Sequence, residues 1–423
     1  MRRYFLIIIL AFIPLLSRGA QAPDEPTLQL FGKVIDASSM EVLPYASVTL
    51  KGTVISNVTN ADGIFSLKIP NTTSPDALVN VSFLGYLTAA VSVETLSSGT
   101  PDEPYLIRMK PVSMSLDPAV IHASEALYLF KSAFFKVNDN YPNHRVGMTS
   151  FYREIIRRGN GKYLVLNEAV VDIDKASYSS FGADRAAIYK GRGSQNYDRS
   201  DSLFVQFQGG INTALSLDLV KNPFISGTLA QAEDYYDFTM GEPVVIDGRT
   251  FFVVEFEPKP SESWLFYHGK VYIETESLAI GRIEFSLMTD GHEEEAASYF
   301  IIKRPSGKRF YVTKAEYVIN YKESDGLWYY DYCLMNVGFC YRQRGLPFRH
   351  HYSLTGEMAV TDHKDSEFVI IPSERVRFKD ILSERISDFA DEDFWEDYNI
   401  IEPDQSIDVI IKRIVRQLGR RGR

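Results

Sequence analysis

Two His-x-x-Glu pairs are the first residues in this chain that could do chemistry: His122-Ala-Ser-Glu125 and His292-Glu-Glu-Glu295. Such a pair, completed by a distant His, can hold a zinc ion with one coordination position open for water. Neither context favours that use. The first pair lies between a Pro-containing linker and a helix start, where Glu125 complements the helix dipole. The second sits in an acidic turn. His350 and His351 are adjacent, so an alternating strand sends their rings to opposite faces. Asp172 and Asp174 share one strand face, where two carboxyls could raise each other's pKa and work as an acid/base pair. Charged residues on the wet face of a sheet account for them equally well. The chain carries no Gly-x-Ser-x-Gly elbow, His-Glu-x-x-His, phosphate loop or Gly-x-Gly-x-x-Gly turn. The residues point to a non-enzymatic protein, with no metal and no cofactor implied.

Binding is better represented than catalysis. Trp264, Phe266 and Tyr267 stand together, as do Trp328 and Tyr330. Aromatics lining a curved sheet would make an apolar cavity suited to acyl chains; plain core packing is the alternative. At the other end of the chain, Lys412, Arg413, Arg416, Arg420, Arg421 and Arg423 fall in the last twelve residues without one acid. They suit a helix C-terminus, and they could also touch anionic lipid or an acidic partner.

The elements that must position these residues are mostly strands. Residues 244–287 hold two apolar runs separated by Asp247-Gly248, a dipeptide that accepts the positive φ angles of a type I′ hairpin turn. Further on, Ile283, Phe285 and Leu287 alternate with Arg282, Glu284 and Ser286, the period of a sheet with one buried and one wet face. Further strands are expected at 151–156, 163–171, 299–303, 310–321, 327–341 and 350–361. A helix runs from a cap at Ser124 to about Val137, with Leu127, Phe130 and Phe134 on one face. Residues 374–390 are expected to be helical in part. A final amphipathic helix begins at Asp404 or Ser406, with Ile407, Ile410, Ile411, Ile414 and Leu418 as its apolar stripe.

Composition sets the compartment. The chain has 423 residues, 45% hydrophobic and 24% charged, enough for two or three domains with proper cores. Its 25 Tyr and 27 Phe favour β structure. A net charge of −10 argues against nucleic acid. Residues 1–22 read as a secretory signal peptide, with Arg2-Arg3, an apolar run over 4–16 too short for a comfortable membrane span, and small residues to Ala22. No Cys lies near the cleavage region, so lipidation at a processed N-terminal Cys is not expected. Cys333 and Cys340 are the only cysteines. On one continuous strand they stand about 23 Å apart at ~3.3 Å per residue, too far to bridge; a hairpin folded at Asn336-Val337 would pair them.

Residues 27–110 carry Phe31-Gly-Lys-Val-Ile-Asp36, Leu43-Pro-Tyr-Ala-Ser-Val-Thr-Leu-Lys-Gly52, Thr59-Asn-Ala-Asp-Gly-Ile-Phe-Ser-Leu67 and Val81-Ser-Phe-Leu-Gly-Tyr86 in that order. This succession resembles the carboxypeptidase regulatory-like domain, a small transthyretin-like β-sandwich. That resemblance implies an accessory module without catalytic residues, and it brings a zinc carboxypeptidase into consideration as a remote alternative. The rhythm Gly269-Lys-Val-Tyr-Ile-Glu274, turn, Arg282-Ile-Glu284 is similar to that of the half-barrel of outer-membrane lipoprotein carriers. Phe151-Tyr-Arg-Glu154, Glu168-Ala169, Lys190-Gly-Arg192 and Asp393-Phe-Trp-Glu-Asp-Tyr-Asn-Ile-Ile401 resemble a family of exported Gram-negative envelope proteins that bear the same accessory domain.

The expected fold is mainly β. A transthyretin-like sandwich (27–110) and a linker (111–121) lead into an α+β region dominated by a large antiparallel half-barrel-like sheet (122–400), then a basic amphipathic helix (404–423). The expected role is a binding or assembly module in the periplasm or on the periplasmic face of the outer membrane. A carrier of lipid or lipoprotein acyl chains is the alternative. The partner would be an envelope protein or lipid, with peripheral contact to an anionic membrane through the basic end. That contact yields a test. Attraction of ~1 kcal/mol per contacting charge, screened over roughly 8 Å at physiological ionic strength, makes cosedimentation with anionic vesicles fall as salt rises. It should fall again on removal of residues 419–423, and equal binding by full-length and truncated chains would show the tail to be only a solvated helix end.

Overall fold

Short alternating segments and turn residues build the N-terminal unit. In the computed structural model, which describes residues 26–412 except 113–122, 196–205, 208–209, 224–230, 260–266, 304–306, 344–347, 365, 367, 379, 389–393, 396–397, 406 and 410, seven strands form a sandwich. They are β1 (Thr27–Asp36), β2 (Ser47–Leu50), β3 (Ser56–Val58), β4 (Ile64–Pro70), β5 (Leu78–Ser82), β6 (Ala89–Ser92) and β7 (Tyr105–Met109), with α1 (Val93–Leu96) between the last two. One sheet has the order β4-β1-β7, the other β3-β2-β5-β6. Leu30, Val34, Phe65 and Leu67 from the first meet Val48, Leu50, Val79 and Val81 from the second in one apolar core.

The remainder begins with α2 (Ala123–Phe135) and α3 (Val137–Asn140), then β8 (Val146–Arg158), β9 (Tyr163–Lys175) and β10 (Arg185–Gln195). There follow β11 (Gln206–Phe207), α4 (Gly210–Ser216), α5 (Ala232–Tyr235), β12 (Tyr236–Ile246), β13 (Arg249–Pro258), β14 (Tyr267–Glu274) and β15 (Ile280–Leu287). The last elements are α6 (Glu293–Phe300), β16 (Ile301–Lys303), β17 (Lys308–Ser324), β18 (Leu327–Gln343), β19 (Arg349–Lys364) and β20 (Ser387–Asp388). Eleven strands share one sheet, in the order β12-β13-β14-β15-β17-β18-β19-β8-β9-β10-β20. All neighbours are antiparallel except the short β10–β20 pair. The terminal strands β12 and β20 do not pair with each other, so the sheet is open, not a closed barrel.

Turn chemistry sets the register of the meander. Asp247 and Gly248 have φ of 49° and 73°, both positive as a type I′ turn requires, and Ile246 faces Arg249 across it. A second such turn at Asp325-Gly326, with φ of 51° and 84°, joins the two longest strands. β15 alternates as its residues imply, with Ile283, Phe285 and Leu287 buried.

Elsewhere the tertiary structure departs from what the sequence pattern predicts. β8 and β9 are buried on both faces over most of their length, because each face is covered. The inner face, bearing Tyr152, Ala169, Tyr317 and Met335, packs under α2, α4 and α6. The outer face, bearing Phe151, Val170, Tyr332 and Leu334, is covered by the sandwich and by a C-terminal strap around Trp395, Tyr398 and Ile401. Asp172 and Asp174 therefore lie on a buried face, not a wet one, at 8% and 0% exposure. Residues 293–300 form α6 ahead of β16, where the pattern predicts a strand from residue 299, and among the described residues of 374–390 the one helical element is a three-residue 3-10 helix at Leu382–Glu384. Cys333 and Cys340 both lie on the continuous β18 and are free, buried thiols, since the strand does not fold back at Asn336.

The strap joins sandwich to sheet. Asn399 exchanges two hydrogen bonds with the backbone of Lys68, its Nδ2 donating to Lys68 O (3.1 Å) and its Oδ1 accepting from Lys68 N (2.8 Å). Asn57 Nδ2 donates to Ile400 O (2.7 Å), and Ser66 bonds Glu402. Ser56 Oγ reaches Val360 O directly at 3.1 Å. Trp395 sits edge-on to Phe151, ring centroids 5.4 Å apart, beneath the Arg192 guanidinium at 4.9 Å. Truncating so large a buried side chain costs about 3–5 kcal/mol. A chain cleaved between residues 112 and 123 is therefore expected to keep its two pieces together on gel filtration, and to release the sandwich once Trp395→Ala is introduced. Separation of the pieces without that substitution would show that the strap does not hold them.

Candidate functional site

Across the inner face one lateral row of residues runs through eight neighbouring pairs: Phe256, Gly269, Phe285, Tyr317, Met335, Gly356, Glu154, Asn167 and Gly193. Above the middle of this row, between the sheet and α4 and α6, lies a cavity of about 410 Å³. Its walls are largely apolar: Leu217, Tyr267, Phe300, Tyr317, Met335, Val337, Leu354 and Phe378, with Thr213, Ser216 and Ser298 adding hydroxyls. Among the described residues Glu154 is its only carboxyl. That volume falls in the range of ordinary ligand pockets, which are mainly apolar with a few placed polar groups.

Two glycines let the backbone approach here. A Cβ on Gly210, the first residue of α4, would overlap the Tyr152 hydroxyl and come within 2.7 Å of Glu154 Oε2. A Cβ on Gly356 would stand 2.5 Å from the Met335 methyl. The α4 lid is held by polar contacts beyond its C-terminus. Asp218 accepts from Tyr178 (2.8 Å) and Tyr321 (2.7 Å) and pairs with Lys175 at 2.6 Å, while Tyr330 Oη donates to Ala214 O at 2.8 Å. Burial alone would lower the Lys175 pKa, but Asp184 and Asp218 outweigh it and hold the ammonium above its ordinary value.

Glu154 lies deep in the protein yet keeps part of its surface open to the cavity. Burial raises its pKa above the usual carboxylate range, against hydrogen bonds from Asn167 and Tyr152. Both bonds are long, 3.3 Å each.

On the outer face, between sandwich and sheet, is a second cleft of about 340 Å³ whose walls mix polar and apolar side chains. Lys322 Nζ donates to Thr49 Oγ1 of the sandwich at 2.6 Å, and Arg249 pairs with Glu323 at 2.8 Å. Burial lowers Lys322 and raises Asp331, each moderated by the other.

Of the aromatic candidates, Tyr267 lines the inner cavity, beside Phe285 and Tyr317. Trp328 lines the outer cleft, edge-on to Phe251. Tyr330 is fully buried against α4. Trp264 and Phe266 lie outside the described residues, as do His122, the signal segment and Arg413, Arg416, Arg420, Arg421 and Arg423. Lys412 pairs with Asp408 one turn back at 2.7 Å. His292, just before α6, meets Glu295 of that helix at 3.2 Å, and His350 stacks on Tyr341. Among the described residues no group of three or more His, Cys, Asp or Glu could hold a metal. Nor is any helix among them long and apolar enough to cross a membrane.

The motif residues converge elsewhere. Arg153, Glu168 and Arg192 meet on the outer face: Arg153 Nε donates to Glu168 Oε1 at 2.8 Å, and Arg192 Nε to Glu168 Oε2 at 3.0 Å. Arg153 Nη2 also caps Ile401 O of the strap at 2.6 Å. These residues hold the strap, and none of them lines the inner cavity. Sequence reasoning misses Glu154, the neighbour of Arg153, as a site residue. Its signal is a carboxylate on the apolar face of β8, between Tyr152 and Ile156.

Residues 30–119 match the CarboxypepD_reg-like domain family. This segment is a carboxypeptidase regulatory-like domain. The match leaves the large sheet outside it. No curated protein matches the chain. Among solved structures, a DUF1329 family protein from Desulfovibrio piger ATCC 29098 aligns with 12% identity over 59% of this chain and 93% of that chain, at a TM-score of 0.24. MucB aligns with 14% identity over 56% of this chain and 92% of that one, at a TM-score of 0.18. The Pseudomonas aeruginosa MucA/MucB complex aligns with 12% identity over 55% and 93%, at 0.20. At such scores these likenesses carry no argument about ligand or partner.

Asp172 supplies a stability test. Burial raises its pKa from 3.8 to about 6, only partly opposed by Lys364, and among the described residues its Oδ1 has no partner. A carboxyl raised in the folded state favours folding fully below its unfolded pKa and loses that contribution as pH rises through the folded value. Asp172→Asn should therefore stabilise the protein at pH 8 by about 2–3 kcal/mol, and by little at pH 4, in urea unfolding followed by tryptophan fluorescence. An equal gain at both pH values would show that the charge is not the cause.

Proposed function

We propose that this chain is an exported, non-enzymatic binding module of the cell envelope, and that its ligand is an acyl chain of a lipid or lipoprotein held in the inner cavity. The observation that carries the reading is a ligand-sized, mainly apolar cavity between the sheet and α4 and α6, lined by Tyr267, Tyr317, Met335 and Leu354. A sheet whose inner face was filled by its own side chains would have favoured a purely structural role. The signal-like segment at 1–22 supports export to the periplasm. Membership of the accessory family at 30–119 fits a module that stiffens or docks the large sheet C-terminal to it.

An assembly role with an envelope protein is the second reading, and the cleft between sandwich and sheet, lined by Arg249, Lys322 and Asp331 as well as aromatics, favours it. Native mass spectrometry of protein purified from its own envelope separates the two. The carrier reading expects a co-purifying lipid-sized mass that is lost when Val337→Trp fills the cavity while the fold is kept. Protein free of lipid both before and after that change, or a lipid retained by the filled variant, would overturn it.

A further inference from the structure

The cleft between sandwich and sheet holds two charged groups that its own side chains leave unmatched. Lys322 on β17 and Asp331 on β18 both line it. Asp331 owes its place to a bulge in the β17–β18 ladder. Asn320 pairs with Tyr332 and Tyr321 with Tyr330, so Asp331 is the extra residue with none opposite. Bulges of this kind re-aim a side chain and are common beside active sites. Here the carboxylate turns into the cleft.

The neighbouring charges are already engaged. Arg249 pairs with Glu323 at 2.8 Å, and Arg282 donates to Glu284 (2.7 Å) and Asn320 (2.8 Å). Lys51 and Asp325 stand on the exposed rim. Asp247, at the hairpin turn, accepts from Thr88 at 3.4 Å and acts on Lys322 and Asp331 through space. Lys322 spends one of its three donors on a neutral partner, Thr49 Oγ1. Among the described residues no hydrogen bond reaches the Asp331 carboxylate, and no ion pair joins it to Lys322. A desolvated carboxylate without a donor is costly. An adjoining pocket of about 20 Å³ shares both residues and has room for one water. The cleft itself, at about 340 Å³, is of ligand size.

Such a gap suits a guest that carries both signs. An ammonium offers Asp331 up to three donors, and an anionic oxygen accepts from the spare Lys322 hydrogens; bonds between ionised partners are the strong ones. A guest of one sign would match one residue and meet the like charge of the other. Beside the pair, Leu84, Ile246, Phe251 and Trp328 provide an apolar wall. We propose that this cleft binds a small zwitterion, its ammonium on Asp331, its anionic group on Lys322 and any apolar substituent against that wall. Free apolar amino acids and the phosphoethanolamine head of a lipid share that chemistry, and the test tells them apart. This site is separate from the inner cavity and does not depend on the acyl reading of it.

L-Phenylalanine and phosphoethanolamine are titrated into the whole protein by calorimetry at neutral pH. Each is accompanied by its one-signed counterparts: phenylalaninamide and N-acetylphenylalanine for the first, ethanolamine and inorganic phosphate for the second. At least one zwitterion is expected to bind, with its counterparts weaker by on the order of tenfold or more, the range for hydrogen bonds to charged groups. Asp331→Asn should lose the preference over the counterpart that lacks the ammonium, and Lys322→Gln the preference over the one that lacks the anion. Melting temperatures of both variants are read alongside, and the counterparts test the wild type even where a variant does not fold. Tighter binding of phosphoethanolamine marks a lipid head as the source, and tighter binding of phenylalanine a free amino acid. The proposal is overturned if neither zwitterion binds at millimolar concentration, if the counterparts bind equally well, or if both folded variants keep the wild-type preferences. Any of these would mean that the cleft holds only water, and would leave the acyl reading of the inner cavity untouched.

Discussion

A desolvated guanidinium organises the outer half of this molecule. Arg153 is 1% exposed in the middle of the sheet, and removing such a charge from water is tolerable only when its donors are matched. Glu168 supplies the countercharge, Ile401 O a backbone acceptor, and Glu357 a further carboxylate at 3.8 Å. Burial lowers the Arg153 pKa, and the charges of Glu168 and Glu357 more than restore it. Because one acceptor belongs to the strap, the ion pair is satisfied only when the strap lies across the sheet. The sandwich is fastened to that strap through Asn57, Ser66 and Lys68. A local charge problem on β8 is thereby solved by a separate domain and by a segment far along the chain (Arg153 to Ile401, 248 residues).

The two faces of β8 consequently divide their work. Odd positions such as Phe151 and Arg153 turn to the strap, while Tyr152 and Glu154 turn to the inner face, where Glu154 lines the cavity. The family-like motif Phe151-Tyr-Arg-Glu154 thus combines an outward structural role and an inward polar one in four consecutive residues. Strand alternation alone makes this possible. The lid over the inner face is anchored independently, by Lys175, Asp218 and the phenols around them. Apolar walls, a single carboxyl among the described residues and a fixed roof are the ingredients of a selective pocket.

Much of the framework was legible because it is local. Asp-Gly dipeptides impose positive φ, and alternation in β15 declares its buried face without reference to any other strand. The spaced turns of the sandwich are equally self-contained, and the family match at 30–119 agrees with them. Asp172 and Asp174 were harder to place. Period two puts them on one face, but whether that face is wet depends on what covers it, and the cover comes from elsewhere in the chain. The same holds for α6, whose acidic first turn gives way to a short strand only because β16 pairs with β11.

By itself, the sequence determined the mainly β class, the accessory sandwich, the hairpin turns and the aromatic supply for an apolar site. Tertiary structure alone decided which aromatics line a cavity: Tyr267 does, Tyr330 is core, and Trp328 faces the other cleft. The cavity's position rests on a lateral row whose members are separated by up to 202 residues, from Glu154 to its direct neighbour Gly356. No single-strand pattern encodes neighbours across a sheet, because lateral order is set by strand pairing and period two specifies only up or down.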